Sequence, residues 1–353
     1  MKKKGLNAAS IKIIAMACMF LDHFAASIFQ GFILSHRLSS GLSFADSLVI
    51  YDRAFSSPEG VVYLVMRMIG RISFPIYCFF IVEGLMHTRN RLKYLMRLLI
   101  FAVISEVPFD LAIFGTVFYP LYQNVIITHA IGLAMIWGID ELFKADLKKV
   151  HDILLKIAAC IFAPFVLAGL TMRILLSVFY DMVESTDNPQ SFVSTVFVTF
   201  WVFFVLALII FICFIHVKRG KEAASKVSIV FALAGAACLL ADQSDILGSM
   251  SDYGALGIIT ILIIYLLRER KIRSVVMSCL FLAVSSVSEI PCFLSLPILA
   301  NYNGERGKGS KYIYYVFYPA HLLILGLALL AFGLSPYGTE NSFSMVIKSL
   351  IQK

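Results

Sequence analysis

The chain reads as an all-α, polytopic membrane bundle of about 10–11 transmembrane helices. Its 353 residues are 60% hydrophobic and 15% charged, with a mean hydropathy of +0.87. Soluble domains run at about 45–50% apolar and about 25% charged, so the polar residues here are too few to coat a water-soluble globule. The cations are also spaced in a regular way. Of 30 Lys and Arg, 21 fall in Lys2–Lys4, Arg89–Arg97, Lys144–Lys149, Lys218–Lys226, Arg268–Arg273 and Arg306–Lys311. Between them, Tyr180–Gln190 and Asp242–Asp252 carry acids and no Lys or Arg. That alternation is the positive-inside pattern of a multi-span chain. It explains the net charge of +8 without nucleic acid, which is not expected as a partner.

Ten stretches approach the length of about 20 apolar residues that a span needs. Ile11–Leu34 is the first. Lysines precede it as in a secretory leader, but Asp22 and His23 interrupt the run, so it is expected to be an uncleaved span. Val61–Met86, Leu92–Phe118, Asn124–Phe143, Ile153–Phe179, Phe192–Ile215, Val227–Leu240, Tyr253–Leu267 and Val275–Val287 follow, and Tyr312–Leu334 is the last. A cytoplasmic N-terminus puts the basic loops inside after spans two, four, six and eight. Span nine should end outside, yet the loop Asn301–Lys311 is basic. The segment from Glu289 to Ala300 must therefore return through the membrane, and Pro291 and Pro297 predict a broken or re-entrant helix near 289–300. The seven cysteines have no CxxC spacing and read as small core residues, with no metal site. A single integral-membrane domain over 1–353 is expected.

Ionisable residues inside spans cost several kcal/mol unless they face protein or a water-filled cavity. Here they are numerous: Asp22 and His23 in span one, Arg67 and Arg71 in span two, Glu106 and Asp110 in span three, His129, Arg173, and His321 in the last span. Neighbours in a helix point about 100° apart, so Asp22 and His23 cannot pair and His23 needs a partner on another helix. Arg67 and Arg71 share one face, as do Glu106 and Asp110, so span three is a candidate to neutralise span two. Pro75, Pro108 and Pro319 lie beside these charges and predict bends. Tyr314, Tyr318 and His321 follow i, i+4, i+7 and form one face, either an aromatic interface belt or a hydrogen-bonding wall. The loop Asn301–Lys311 alternates glycine with cations, which suits phosphate, although it is not a Walker A loop and topology alone also accounts for its charge. The residues leave two readings of the network open: a purely structural set of ion pairs, or a path for reaction or transport.

Several strings resemble the TraX family, whose namesake is the F-pilin acetylase. They are Ile11–Met16 with Met19–His23, Gly70–Tyr77, Val82–Gly84 with His87–Asn90, Tyr94–Leu98, Ser105–Asp110 and Gln123–Val125. Near the end come Asp252–Gly254, Tyr302–Gly307 and Phe317–Leu322. The likeness covers about 7–135 and 250–330, whereas about 145–240 resembles the family poorly and reads as extra spans. The family is similar to the transmembrane acyltransferases, including type 3 acyltransferases. The resemblance implies acetyl-CoA as cytoplasmic donor and an essential first-span histidine, which His23 matches.

On that basis His23 is expected to be the general base, with Glu106 or Asp110 holding its tautomer. Asp22 offsets positive charge, Arg71 helps stabilise developing charge, and Tyr318 and His321 position the acceptor or the oxyanion. Arg89, Arg97, Arg306 and Lys308 are the expected contacts of the CoA phosphates. The implied partners are acyl-CoA, membrane lipids and an extracytoplasmic acceptor (a glycan, peptide amine or small molecule), with a homodimer open. The implied location is a bacterial cytoplasmic membrane. An acyl-histidine intermediate is an alternative. So are a proton-coupled transporter built on the same network and a non-catalytic assembly factor.

Overall fold

The computed structural model describes residues 5–32, 58–146, 148–184, 188–243, 249–309 and 311–334. Nearly all of them are helical. The helices are α1 (Ala8–Phe24), α2 (Pro58–Gly70), α3 (Ser73–His87), α4 (Arg91–Phe114), α5 (Val125–Leu142), α6 (Lys149–Glu184), α7 (Pro189–Ala241), α8 (Gly254–Leu266), α9 (Lys271–Ser285), α10 (Ser295–Ala300) and α11 (Lys311–Ala331). A π-helical turn, Ala25–Phe29, continues α1, and a 3₁₀ segment, Val287–Leu294, joins α9 to α10. Each of the ten expected spans is largely helical where it is described, the second being divided between α2 and α3. Among the described residues six helical stretches are long and apolar enough to cross a membrane: Ala8–Phe32, Pro58–His87, Val125–Leu142, Lys149–Met172, Gln190–Ala241 and Tyr312–Ala331. This is a multi-pass, all-α protein. The side chain of Arg173 lies outside the described residues.

Two compact units divide the chain: Met1–Ile127 with Ile263–Lys353, and Thr128–Leu262. The second is built on α6 and α7. Asn188 caps α7 by accepting from Ser191 N at 3.1 Å, and Gly220 (φ 83°, ψ 176°) separates the helix into the two expected spans. Ala159, Ala163, Ala224 and Ala232 form the seam with Leu208 and Ile212. Small residues let the backbones approach, which is how helices associate when lipid removes the hydrophobic drive between them. The opposite face of α7 exposes Phe203, Leu206, Ile210 and Phe214, as a lipid-facing surface should. Asp152 accepts from Ser225 and from Lys156 Nζ, which brings the Lys144–Lys149 and Lys218–Lys226 stretches to one end of this unit. At the acidic end Asp242–Gln243 pairs antiparallel with Ser249–Ser251, with Asp242 opposite Met250 and Gln243 opposite Ser249. Thr128 donates there to Asp252 O at 2.5 Å.

The first unit carries the polar spans of Asp22, His23, Arg67, Arg71, Glu106, Asp110 and His321. α1 packs on α2, α3 and α11, and α11 lies along α4. Asn7 caps α1 by accepting from Ser10 N (3.0 Å), and Asn90 caps α4 by accepting from Lys93 N (2.7 Å). Pro75 marks a real break: the chain leaves the helix at Arg71–Ile72, and Ser73 Oγ donates to the Gly70 carbonyl at 2.7 Å. Pro108 and Pro319, by contrast, lie inside α4 and α11, which run on through them. One missing amide is absorbed there by the turns on either side.

The segment expected to return folds back on α9 as a broken helix, and the two form a hairpin. α9 climbs 15 residues, about 22 Å at 1.5 Å per residue. Eight 3₁₀ residues at about 2.0 Å each and six α-helical ones come back a similar distance to Asn301. The stretched 3₁₀ pitch lets 14 residues cover the return. The hairpin carries Glu289 deep into the unit.

Candidate functional site

His23 is buried near the end of α1, about 22 Å along the axis from Ala8. The π-helical turn begins two residues later, and Ser27 Oγ donates to the His23 carbonyl at 2.5 Å. Such bulges occur often at functional sites because they re-aim the side chains beside them. The partner of His23 is His321, on α11: Nδ1 of His23 and Nε2 of His321 are 2.7 Å apart. The rings lie within 12° of parallel with centroids 5.0 Å apart, so they meet edge to edge. His321 Nδ1 donates in turn to the carbonyl of Phe317, at 2.7 Å. Tyr318 packs its ring edge-on against both imidazoles, at 5.9 and 5.7 Å. Of the stripe Tyr314, Tyr318 and His321, the last two therefore border His23. At its lower end Lys12 of α1 sits between the rings of Phe80 and Tyr314, 4.8 and 5.1 Å from their centroids.

Glu106 and Asp110, expected to hold His23, do not reach it. Both belong to the far end of α4. Glu106 accepts from the side-chain amide of Asn124, and Asp110 Oδ2 accepts from Tyr119 N at 2.8 Å. The i, i+4 spacing did put them on one face, but that face closes the turn between α4 and α5. Nor does this helix neutralise the arginines. Asp22 takes that role: its carboxylate lies 2.9 Å from Arg67 Nη1 and 3.7 Å from Arg71 Nη1. Glu289, at the head of the hairpin, completes the set with Oε1 3.0 Å from Arg71 Nε. Two cations and two anions thus alternate beside the histidine pair. Gly70 makes this possible, since a Cβ there would stand 2.3 Å from Asp22 Cβ. Glu289 was missed as a site residue. Its place in a proline-broken segment was the available signal, but nothing in the sequence said which arginine it would meet.

At the α1 N-terminus, the loop Asn301–Gly309 docks on the helix. Ala8 N and Ala9 N donate to the carbonyls of Glu305 and Arg306 at 2.8 and 3.1 Å. Leu6 N donates to Asn301 O, and Asn303 N donates to Leu6 O. The first amides of α1 are thus occupied, so the helix N-terminus itself does not offer them to an anion. Arg306 and Lys308 are exposed there. Arg89 is exposed in the turn before α4, and Arg97 is half-buried on α4, close enough to Tyr94 and Tyr315 to act on both electrostatically. A groove of about 450 Å³ opens at the same end, lined by Phe79, Glu83, Arg268, Lys271, Tyr302 and Asn303 among others. Tyr302 donates to Glu83 Oε1 at 3.3 Å, and Lys271 Nζ donates to the Tyr302 carbonyl at 2.8 Å. Burial, then the Glu83 carboxylate, pushes the Tyr302 phenol up to about 12, so it remains a donor at neutral pH.

The arrangement sets a buried pair of imidazoles beside the alternating charges of Arg67, Asp22, Arg71 and Glu289. A cationic mouth stands about 22 Å away along α1. The chain is similar, at 25% identity over 90% of its length and 94% of the relative's, to a probable fimbrial assembly protein, FimC, of Dichelobacter nodosus. No solved structure matches it. The TraX protein family matches residues 7–200 and 192–329, the region 145–240 included. With matched segments reaching from the cap of α1 to the end of α11, the chain belongs to the TraX family.

Proposed function

We propose that the protein is a membrane-embedded acetyltransferase. It moves an acetyl group from cytoplasmic acetyl-CoA to an acceptor at or beyond the outer face of a bacterial cytoplasmic membrane. The observation that carries this reading is the buried His23–His321 pair, 2.7 Å apart, in the spans that bear the family's motifs. His23 takes the proton from the acceptor's hydroxyl or amine as that atom attacks the thioester carbonyl. The C–S bond then breaks, CoA leaves as thiolate, and the proton returns from His23 to the sulfur, so the products are acetylated acceptor and CoASH. Tyr318 is our donor to the oxyanion, and Arg71, held between Asp22 and Glu289, supplies positive charge. Arg89, Arg97, Arg306 and Lys308 bind the phosphates of CoA. The N-terminus and these loops face the cytoplasm.

The relative's name supports a surface-fibre subunit, or a glycan attached to one, as the acceptor. The same name favours a second reading, a non-catalytic assembly factor. Acetyl-CoA separates the two. Purified protein is incubated with radiolabelled acetyl-CoA and a membrane or cell-wall extract, and labelled products are identified by mass spectrometry. Wild type is expected to label a discrete product. His23→Gln is expected to lose at least about 100-fold in rate while still binding CoA. A wild-type protein that neither binds acetyl-CoA nor labels any product would leave the assembly reading standing.

A further inference from the structure

We propose that His321 is the positioning residue of this site. Through the carbonyl of Phe317 it fixes His23 in its Nδ1–H tautomer and leaves Nε2 as the basic atom. The inference rests on the acetyltransferase reading for what Nε2 does, but not for which nitrogen carries the proton.

The hydrogens along one chain of bonds fix both tautomers. A carbonyl oxygen only accepts, so the 2.7 Å contact between His321 Nδ1 and Phe317 O requires the hydrogen on Nδ1. A neutral imidazole has one such hydrogen, so Nε2 of His321 is a lone pair. The 2.7 Å separation between that Nε2 and Nδ1 of His23 needs one hydrogen between them, and only His23 is left to supply it. His23 Nδ1 is then the donor and His23 Nε2 carries the free lone pair. Among the described residues nothing is hydrogen-bonded to Nε2.

A base in a triad takes its orientation from a carboxylate on the far nitrogen. Here the carboxylates are committed elsewhere: Asp22 and Glu289 to the arginines, Glu106 to Asn124 and Asp110 to the Tyr119 amide. A neutral second histidine does the same work without adding a negative charge inside the membrane, where an unpaired ion is costly. Its own tautomer is set locally, because Phe317 is one helical turn before His321 on α11. When Nε2 of His23 accepts a proton, the Nδ1 hydrogen lies on the 2.7 Å path to His321 Nε2. The imidazolium charge is then shared by two rings, and the Phe317 carbonyl still accepts from His321.

Nitrogen NMR of protein labelled with ¹⁵N-histidine tests the assignment without any turnover. Signals are assigned by comparison with His23→Gln and His321→Gln. At neutral pH both rings should be Nδ1-protonated with bare Nε2; a protonated Nε2 on His23 would overturn the proposal. The kinetic arm uses two substitutions. In His321→Gln the amide oxygen stands near the place of Nε2 and accepts from His23 Nδ1, so kcat should stay within about tenfold of wild type. His321→Phe keeps the ring and removes the acceptor, so kcat should fall about 100-fold with KM for acetyl-CoA unchanged. Equal loss in both variants would make His321 a proton carrier and overturn the positioning role. If wild type shows the expected tautomers but transfers no acetyl group, the acetyltransferase reading falls and the tautomer assignment stands.

Discussion

At the scale of single residues, the site depends on which charges meet. Arg71 is shared between Asp22 at 3.7 Å and Glu289 at 3.0 Å, and the second contact is the closer. Breaking a buried pair from one side leaves the other charge uncompensated, at about 3–5 kcal/mol. Glu289→Gln should therefore lower the thermal midpoint in detergent by several degrees. Adding Arg71→Gln should recover part of the loss, and strict additivity in the double variant would show that the pair is not coupled. Gly70 is a second sensitive position. Gly70→Ala drives a methyl into the Asp22 side chain, with 2.3 Å between Cβ atoms, and should cost about 1–3 kcal/mol. It should also slow acetyl transfer, because Asp22 is next in sequence to His23.

At the scale of elements, the loop Asn301–Gly309 works as a cap, with its carbonyls taking the first amides of α1. Gly307 holds φ +74°, and a Cβ there would stand 2.2 Å from the Asn7 side-chain oxygen. Gly307→Ala is expected to lift the loop from the helix. Hydrogen exchange should then quicken at the amides of Ala8 and Ala9 and stay unchanged in α6 and α7. Arg306 and Lys308 would lose their fixed position, so CoA affinity should fall with them, more at low salt than at high. Equal exchange rates in variant and wild type would show that the cap forms without the glycine. The α9–3₁₀–α10 hairpin is the other element with a function, since it delivers Glu289.

At the scale of the molecule, the charge alternation predicts an orientation. Single cysteines at Arg89 and Lys308, in a cysteine-free background, should react with an impermeant maleimide only in inside-out vesicles. One at Ser191, at the start of α7, should react only in right-side-out vesicles. Labelling of Lys308→Cys from the outer side would reverse the topology and move the donor to the wrong compartment. Basic loops meet basic loops through Asp152 and Ser225, and the loop Asn301–Gly309 meets the α1 N-terminus.

Hydropathy, loop charge and helix spacing were enough to determine a multi-span helical protein, the break at Arg71, the returning segment near 289–300 and the shared face of Tyr314, Tyr318 and His321. These properties are local: a span, a cap or a face depends on residues a few positions apart. The pairing of those faces is not local. Glu106 and Asp110 were matched to the arginines and His23 on chemistry alone, and any buried carboxylate would have suited that rule as well. Only the packing of α1 against α2 and α11, and of the hairpin against α2 and α3, brought Arg71 to Asp22 and Glu289, 49 and 218 residues away, and His23 to His321, 298 residues away. In a bilayer, helices associate through shape and hydrogen bonds and not through a general hydrophobic drive. The choice of partner there is made by close contacts such as the one Gly70 permits, which no spacing in the sequence displays.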